Sequence, residues 1–88
     1  MKILYSKKFL KDIEHINEKR IKEAAKKIIE NTKNIENISE IKNIRKMIGF
    51  ESYYRIRIND YRLGLKYENN QIIFLRIKHR KDIYKIFP

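Results

Sequence analysis

Arginine dominates the stretch of the chain where chemistry is most readily placed. From Tyr54 the sequence reads Tyr-Arg-Ile-Arg-Ile-Asn-Asp-Tyr-Arg-Leu-Gly-Leu-Lys, so Arg55, Arg57, Arg62 and Lys66 recur among apolar neighbours. Strands alternate faces at every residue. A two-residue loop at Asn59-Asp60 therefore sets Ile58 opposite Tyr61 and Arg57 opposite Arg62. Arg55, Arg57, Arg62 and Lys66 then share one face, and Tyr54, Ile56, Ile58, Tyr61, Leu63 and Leu65 share the core face. Gly64 falls opposite Arg55 and leaves room there for a ligand or another backbone. Like charges placed directly opposite each other destabilise a sheet by up to ~1 kcal/mol, and an anionic ligand reverses that effect. A single arginine on an open sheet face is ordinarily just solvated. A face built for solubility mixes signs, however, and over Tyr54–Lys66 the outward face shows no acid. The set points to phosphate, which the guanidinium fork binds in bidentate fashion.

A second basic segment, Lys78-His79-Arg80-Lys81-Asp82-Ile83-Tyr84, lies near the end of the chain. In a helix Arg80 and Tyr84 stand at i and i+4 and share a face. A guanidinium beside a phenol favours the phenolate, which makes Tyr84 a candidate for proton transfer. His79 is a second candidate. The plainer alternatives are a Tyr84 ring packed on the sheet and a solvated His79. Lys78 and Lys81 extend the basic surface. Tyr53, Tyr54, Tyr61, Tyr67 and Phe74 interleave with the arginines, a mixture that suits base stacking, although most of them are assigned to the core. There is no Gly-rich phosphate loop, no readable Ser-His-Asp arrangement and no carboxylate cluster for Mg²⁺. No metal or cofactor is implied, and phosphoryl chemistry on these residues is expected to be metal-free. RNA allows that, because its 2′-OH is a nucleophile already beside the scissile phosphate. DNA has no such group.

These side chains need a scaffold. Lys2 to Tyr5 reads as a short opening strand, with Ser6 as a helix N-cap. Phe9, Leu10, Ile13 and Ile16 follow at helical spacing, giving a first helix over about 6–15. Asn17 caps a second helix over about 17–33, with Ile21, Ala24, Ala25, Ile28 and Ile29 as its apolar stripe. The two form an antiparallel hairpin of helices. Residues 34–44, with isoleucine at 35, 38, 41 and 44, fit either a short helix or an irregular connector. Arg45 to Ile48 is a short strand ended by Gly49. Strands at 54–58 and 61–67 follow, then a central strand at 71–78 buried on both faces. A short helix closes the chain at 80–87. The expectation is a single α+β domain over 1–88. In it a short N-terminal strand and a two-helix hairpin pack on a mostly antiparallel meander of three or four strands, followed by a short C-terminal helix.

Composition agrees. The chain has 88 residues, with 22 Lys plus Arg against 11 Asp plus Glu, a net charge of +11 and no cysteine. Disulfide scaffolds and thiolate metal sites are thereby excluded. A hydrophobic content of 42% is too high for a disordered basic tail. Such a charge on a folded domain attracts nucleic acid, acidic protein or anionic membrane. Six of the seven arginines lie after residue 44, whereas the first half uses lysine. The C-terminal half is therefore where phosphate recognition is expected. No apolar run approaches the ~18 residues of a membrane span, and the N-terminus shows no h-region. A cytoplasmic protein with no membrane partner is expected.

The pattern Tyr54-Arg55-Ile56-Arg57-Ile58-Asn59-Asp60-Tyr61-Arg62-Leu63, followed by Ile77-Lys78-His79-Arg80-Lys81-Asp82-Ile83-Tyr84, resembles the RelE branch of the RelE/ParE toxin superfamily. The order of elements fits as well, so the resemblance covers nearly the whole chain. It implies a toxin of a type II toxin–antitoxin system, an mRNA endoribonuclease acting in the ribosomal A site and inhibiting translation. It also implies an acidic, RelB-like antitoxin encoded beside it, with the ribosome, mRNA and rRNA as further partners. By the same resemblance Arg62 and Arg80 match the family arginines that stabilise the phosphate, and Tyr84 matches the tyrosine of proton transfer. Arg55 and Arg57 match two basic positions that are lysines in well-known bacterial members. Arginine cannot give up its proton at neutral pH, so Arg57 joins the charge-stabilising set and proton transfer falls to Tyr84 or His79. Some relatives pair His with Glu. Here the basic face carries no Glu, and Glu51, in a turn, is the nearest.

The expected catalytic set is therefore Arg57, Arg62, Arg80 and Tyr84, with His79 as a further acid or base. Arg55, Lys66, Lys78 and Lys81 are expected to bind the RNA backbone. Two rivals stand beside this: a ParE-like inhibitor of DNA gyrase without nuclease activity, and an inactive relative that only binds RNA.

Overall fold

Ser6 joins three elements. Its hydroxyl accepts the Phe9 N–H at 3.0 Å, capping the first helix, and donates to the Leu75 carbonyl at 2.8 Å. The strand that precedes it, the helix that follows and a distant strand are thus locked at one point. The computed structural model describes residues 1–88. The elements are β1 (Lys2–Tyr5), α1 (Lys7–His15), α2 (Lys19–Thr32), a 3₁₀ turn (Ile38–Glu40), β2 (Ile44–Lys46), β3 (Tyr53–Ile58), β4 (Tyr61–Glu68), β5 (Gln71–His79) and α3 (Arg80–Ile86).

The first helix keeps its predicted cap and its predicted stripe apart from Leu10, whose place is taken by Asp12. Phe9 and Asp12 are its buried residues, whereas Leu10 is 50% exposed. Phe9, Asp12, Ile13 and Ile16 follow the i, i+3, i+4, i+7 rule, and Leu10 lies one residue round from that line. Asn17 does not cap α2. Glu18 occupies the cap position without a side-chain bond. The isoleucine-rich connector resolves into a 3₁₀ turn closed by a capping box. Asn37 accepts from Ser39, and the Glu40 carboxylate accepts the Asn37 and Glu36 N–H groups. Ile38 and Ile41 are buried in the core, and Ile35 and Ile44 pack against it. The spacing of three serves an irregular segment laid along the core. β2 begins and ends earlier than the sequence suggests, and Ile48 projects from the loop beyond it at 97% exposure.

The sheet order is β1-β5-β4-β3-β2, with β1 parallel to β5 and the remaining four strands an antiparallel meander. The β3–β4 register is the predicted one: Ile58 pairs with Tyr61, Arg57 with Arg62 and Arg55 with Gly64. Asn69 and Asn70 both adopt positive φ (53° and 59°), the requirement of a two-residue type I′ hairpin between β4 and β5. β4, not β5, is the middle strand. β5 alternates buried Ile72, Phe74 and Ile77 with half-buried neighbours.

The core lies between the sheet and the α1–α2 hairpin. Phe9, Ile16, Ile21, Ala25, Ile38 and Ile41 pack against Ile56, Ile58, Leu63, Leu65, Ile72, Phe74 and Ile77. Full burial stabilises each large apolar side chain by ~1.5–3 kcal/mol relative to exposure. Two further buried residues, Ile83 and Phe87, stand outside this cluster. They belong to α3 and its C-terminal cap, which settle on the sheet. A Cβ at Gly64 would lie 2.7 Å from the Phe87 ring. The space that Gly64 leaves is filled by the chain's own Phe87, not by a ligand or another backbone. α3 is fastened at its start as well, where the Arg80 N–H donates to the Asp60 carbonyl at 2.7 Å.

Candidate active site

Cross-strand pairing assembles the cations in rows. Arg45 pairs with Arg55 and Arg57 with Arg62, while on β5 Arg76 pairs with Gly64 and Lys78 with Arg62. A single acid, Asp12, then divides the rows. Asp12, 4% exposed, accepts from Arg76 through Nε at 2.7 Å and Nη2 at 3.0 Å, accepts the Ile77 N–H at 3.1 Å, and lies 3.4 Å from Lys78 Nζ. β1 ends at the Tyr5–Phe74 pair, so the Ile77 N–H has no strand partner on that edge and Asp12 takes its place. Burial acts to raise the Asp12 pKa. The Arg76 hydrogen bond, the Ile77 N–H and the charges of Arg76 and Lys78 outweigh it and hold the carboxyl below the usual carboxylate value. Two signals could have revealed the pair. Asp12 lies on the apolar stripe of α1, and Arg76 interrupts the apolar run Ile72–Ile77.

Arg45, Arg55, Arg57, Arg62 and Arg80 make no salt bridge, in contrast to Arg76. They line two adjoining depressions. One is formed by Asn43, Ile44, Arg45, Arg55, Arg57 and Arg62, and the other by Asn43, Arg57, Asn59, Asp60, Arg62 and Arg80. Arg57 and Arg62 belong to both. The Arg62 guanidinium donates from Nη1 to the Asn59 carbonyl at 2.9 Å and the Tyr61 carbonyl at 3.0 Å, which plants it at the β3–β4 turn. Five guanidinium groups without a salt bridge, against the single lining acid Asp60, make the two depressions electrostatically suited to an anion, because arginine offers several donors and cannot shed its charge.

The other predicted residues divide. Tyr84 is 59% exposed, and the cation over its ring is Arg55, 5.4 Å from the ring centroid. Arg80 instead lines the depression beside Asp60. His79 caps α3, its Nδ1 accepting the Lys81 N–H at 3.2 Å, with its ring edge-on to Tyr61. That bond makes His79 the N-cap of α3. Lys66 lies 3.1 Å from Glu68, whose hydrogen bond raises its pKa, and rests over the Tyr53 ring at 5.7 Å. Lys78 faces Asp12, and Lys81 is exposed. Of the basic residues expected to meet RNA, Lys66 and Lys78 thus carry their own counter-charge.

Comparison with known proteins adds the following. A family model described as "ParE toxin of type II toxin-antitoxin system, parDE" matches residues 3–84. "Toxin RelE3" of Methanocaldococcus jannaschii is 42% identical over 89 residues, covering all of both chains. The crystal structure of a RelB-RelE antitoxin–toxin complex from Methanococcus jannaschii superposes with a TM-score of 0.85 at 39% identity, covering 97% of this chain and 99% of that one. An archaeal RelE-RelB complex from Pyrococcus horikoshii shares the fold, with a TM-score of 0.71 at 19% identity over 92% and 96% of the two chains.

Proposed function

Because the chain belongs to the RelE/ParE superfamily of type II toxin–antitoxin toxins, we propose that it stops translation by cutting mRNA on the ribosome. The observation that carries this reading is the arginine cleft. Arg57, Arg62 and Arg80 line one depression and make no salt bridge, with Asp60 the one acid in its lining, and Tyr84, on α3, is exposed under the guanidinium of Arg55, which lines the adjoining depression. In the proposed reaction the Tyr84 Oη, as phenolate, takes the proton of the 2′-OH. The 2′-oxygen attacks the adjacent phosphorus, the bond to the 5′-oxygen breaks, and the departing 5′-oxygen takes a proton from water. Arg57, Arg62 and Arg80 neutralise the charge that grows on the phosphoryl oxygens. Such charge stabilisation is typically the largest catalytic term, and loss of one donor costs ~10²–10³ in rate. The products are a 2′,3′-cyclic phosphate and a 5′-hydroxyl.

The same cleft suits an inhibitor of opposite sign. An acidic, RelB-like antitoxin that orders itself on binding fits a protein of net charge +11, and the solved complex from Methanococcus jannaschii pairs a RelE chain with RelB. Cytoplasmic action follows from a ribosomal target. No helix is long and apolar enough to cross a membrane.

A second reading, the ParE-like gyrase inhibitor, draws on the match to the ParE toxin family model. The joint presence of Arg57, Arg62, Arg80 and Tyr84, and the 42% identity to a chain named RelE3, weigh against it. The test is a translation reaction with purified protein in which mRNA ends are mapped. Wild type should cut within codons and Arg62→Ala should not. Intact mRNA alongside inhibited gyrase would replace the first reading with the second.

A further inference from the structure

Five of the six tyrosines have an aromatic neighbour. Tyr5 stacks with Phe9 and Phe74, Tyr53 meets Phe87, Tyr54 meets Tyr67, and Tyr61 meets His79. Tyr84 has none. Its ring is mostly exposed, and the group over it is the Arg55 guanidinium at 5.4 Å. α3 is only seven residues long and rests on Ile83, with Phe87 just beyond its end. These contacts fix the helix, but they do not fix the rotation of an exposed side chain on it. Arg55 reaches Tyr84 from β3, in the rigid sheet. It sits directly across from Gly64, the residue against which Phe87 is seated. Anchor and guide therefore stand side by side on the ladder.

We propose that Arg55 is a positioning residue that holds the Tyr84 ring in place for proton transfer, and not a phosphate ligand of the cleft. The inference rests on the reading of Tyr84 as the proton-transfer group. A guanidinium lying over a phenol is held by cation–π attraction and planar stacking. This restricts the rotation of the ring and keeps it beside Arg55, which itself lines the cleft. It also gives a reason for arginine at this position, since a planar guanidinium stacks on a ring and an ammonium does not.

The test compares RNA cleavage by wild type, Arg55→Ala, Arg55→Lys, Tyr84→Phe and the double variant Arg55→Ala/Tyr84→Phe. General acid–base groups contribute ~10²–10⁴-fold, so Arg55→Ala should lower kcat about tenfold or more with KM nearly unchanged. Arg55→Lys should recover part of the loss. In the Tyr84→Phe background Arg55→Ala should add nothing. A raised KM with kcat preserved, or losses that multiply in the double variant, overturns the proposal by making Arg55 a direct ligand of RNA. An independent arm uses ¹³C-labelled tyrosine. The Tyr84 ring resonance, identified by its loss in Tyr84→Phe, should move in Arg55→Ala, and an unmoved resonance overturns the proposal. If wild type cuts no RNA, the nuclease reading falls, while the resonance still decides whether Arg55 governs Tyr84.

Discussion

Replacing Gly64 by alanine puts a methyl group where the Phe87 ring already lies. Three ring carbons would stand 2.7–2.8 Å from the new Cβ, whereas carbon atoms prefer ~3.5–4.0 Å. The ring must therefore retreat by about 1 Å or leave. If it stays and strains its surroundings, overpacking costs ~1–3 kcal/mol. If it is expelled, the lost burial of one Phe costs ~1.5–3 kcal/mol. Either route gives a destabilisation of ~1–3 kcal/mol, and at ~4–8 °C per kcal/mol for a domain this small the Tm should fall by roughly 10 °C. The main core is untouched, because Phe87 is not part of it. RNA cleavage should therefore fall by more than the stability loss explains, since α3 carries Arg80 and Tyr84. The assay is thermal unfolding of Gly64→Ala, Phe87→Ala and the double variant, with cleavage measured on each. In the Phe87→Ala background the clash is gone. There Gly64→Ala should be neutral or stabilising, because glycine within a strand is ~0.5–1 kcal/mol worse than alanine. A cost that persists in that background, or a Gly64→Ala protein as stable and active as wild type, would refute the account of how α3 is seated.

Other expectations follow from the same geometry. Arg62→Ala and Arg80→Ala should each abolish growth arrest and reduce cleavage ~10²–10³-fold, with thermal unfolding close to wild type, and toxicity retained in both would sink the assignment. Asp12→Asn should destabilise the fold by several kcal/mol, because removing one partner leaves the Arg76 charge uncompensated at the β5 edge. Since the folded-state pKa of Asp12 lies below its value of about 4 in the unfolded chain, its stabilisation is present above pH ~4 and is lost as pH falls through the folded value. Acid titration of stability should show this limb in wild type and a flatter one in Asp12→Asn. Affinity for a non-cleavable RNA, 2′-deoxy at the scissile nucleotide, should fall steeply with salt, and Arg57→Ala should lower the slope of log K against log salt by about 0.7. An unchanged slope would remove Arg57 from the phosphate contacts.

The meander could be read from the residues because its two-residue loop and strict alternation leave one register in which every apolar side chain faces inward. The arginine face followed from that register. Three features were hidden, each for a physical reason. Alternation shows that Gly64 leaves room across from Arg55, but only the folded chain shows that Phe87, and not a ligand or another backbone, takes it. Asp12 and Arg76 are 64 positions apart, and local periodicity carries no information about a pair at that separation. Helical spacing pairs Tyr84 with Arg80 four residues away, and the structure supplies its cation from β3 instead. His79 shows the converse. Its place in the motif suggested chemistry, and local backbone geometry gives it a capping bond. The isoleucine connector was ambiguous because a spacing of three fits both a helix and a chain segment lying on a core.

The most direct test of the central claim is to map mRNA 5′ ends in cells expressing wild type or Tyr84→Phe. Wild type should produce new ends within translated codons, and the variant, which keeps the ring and loses only the phenol oxygen, should produce few or none at equal protein levels. Equal cutting by both proteins, or growth arrest by wild type with its mRNA intact, would contradict a nuclease built on the arginine cleft and Tyr84.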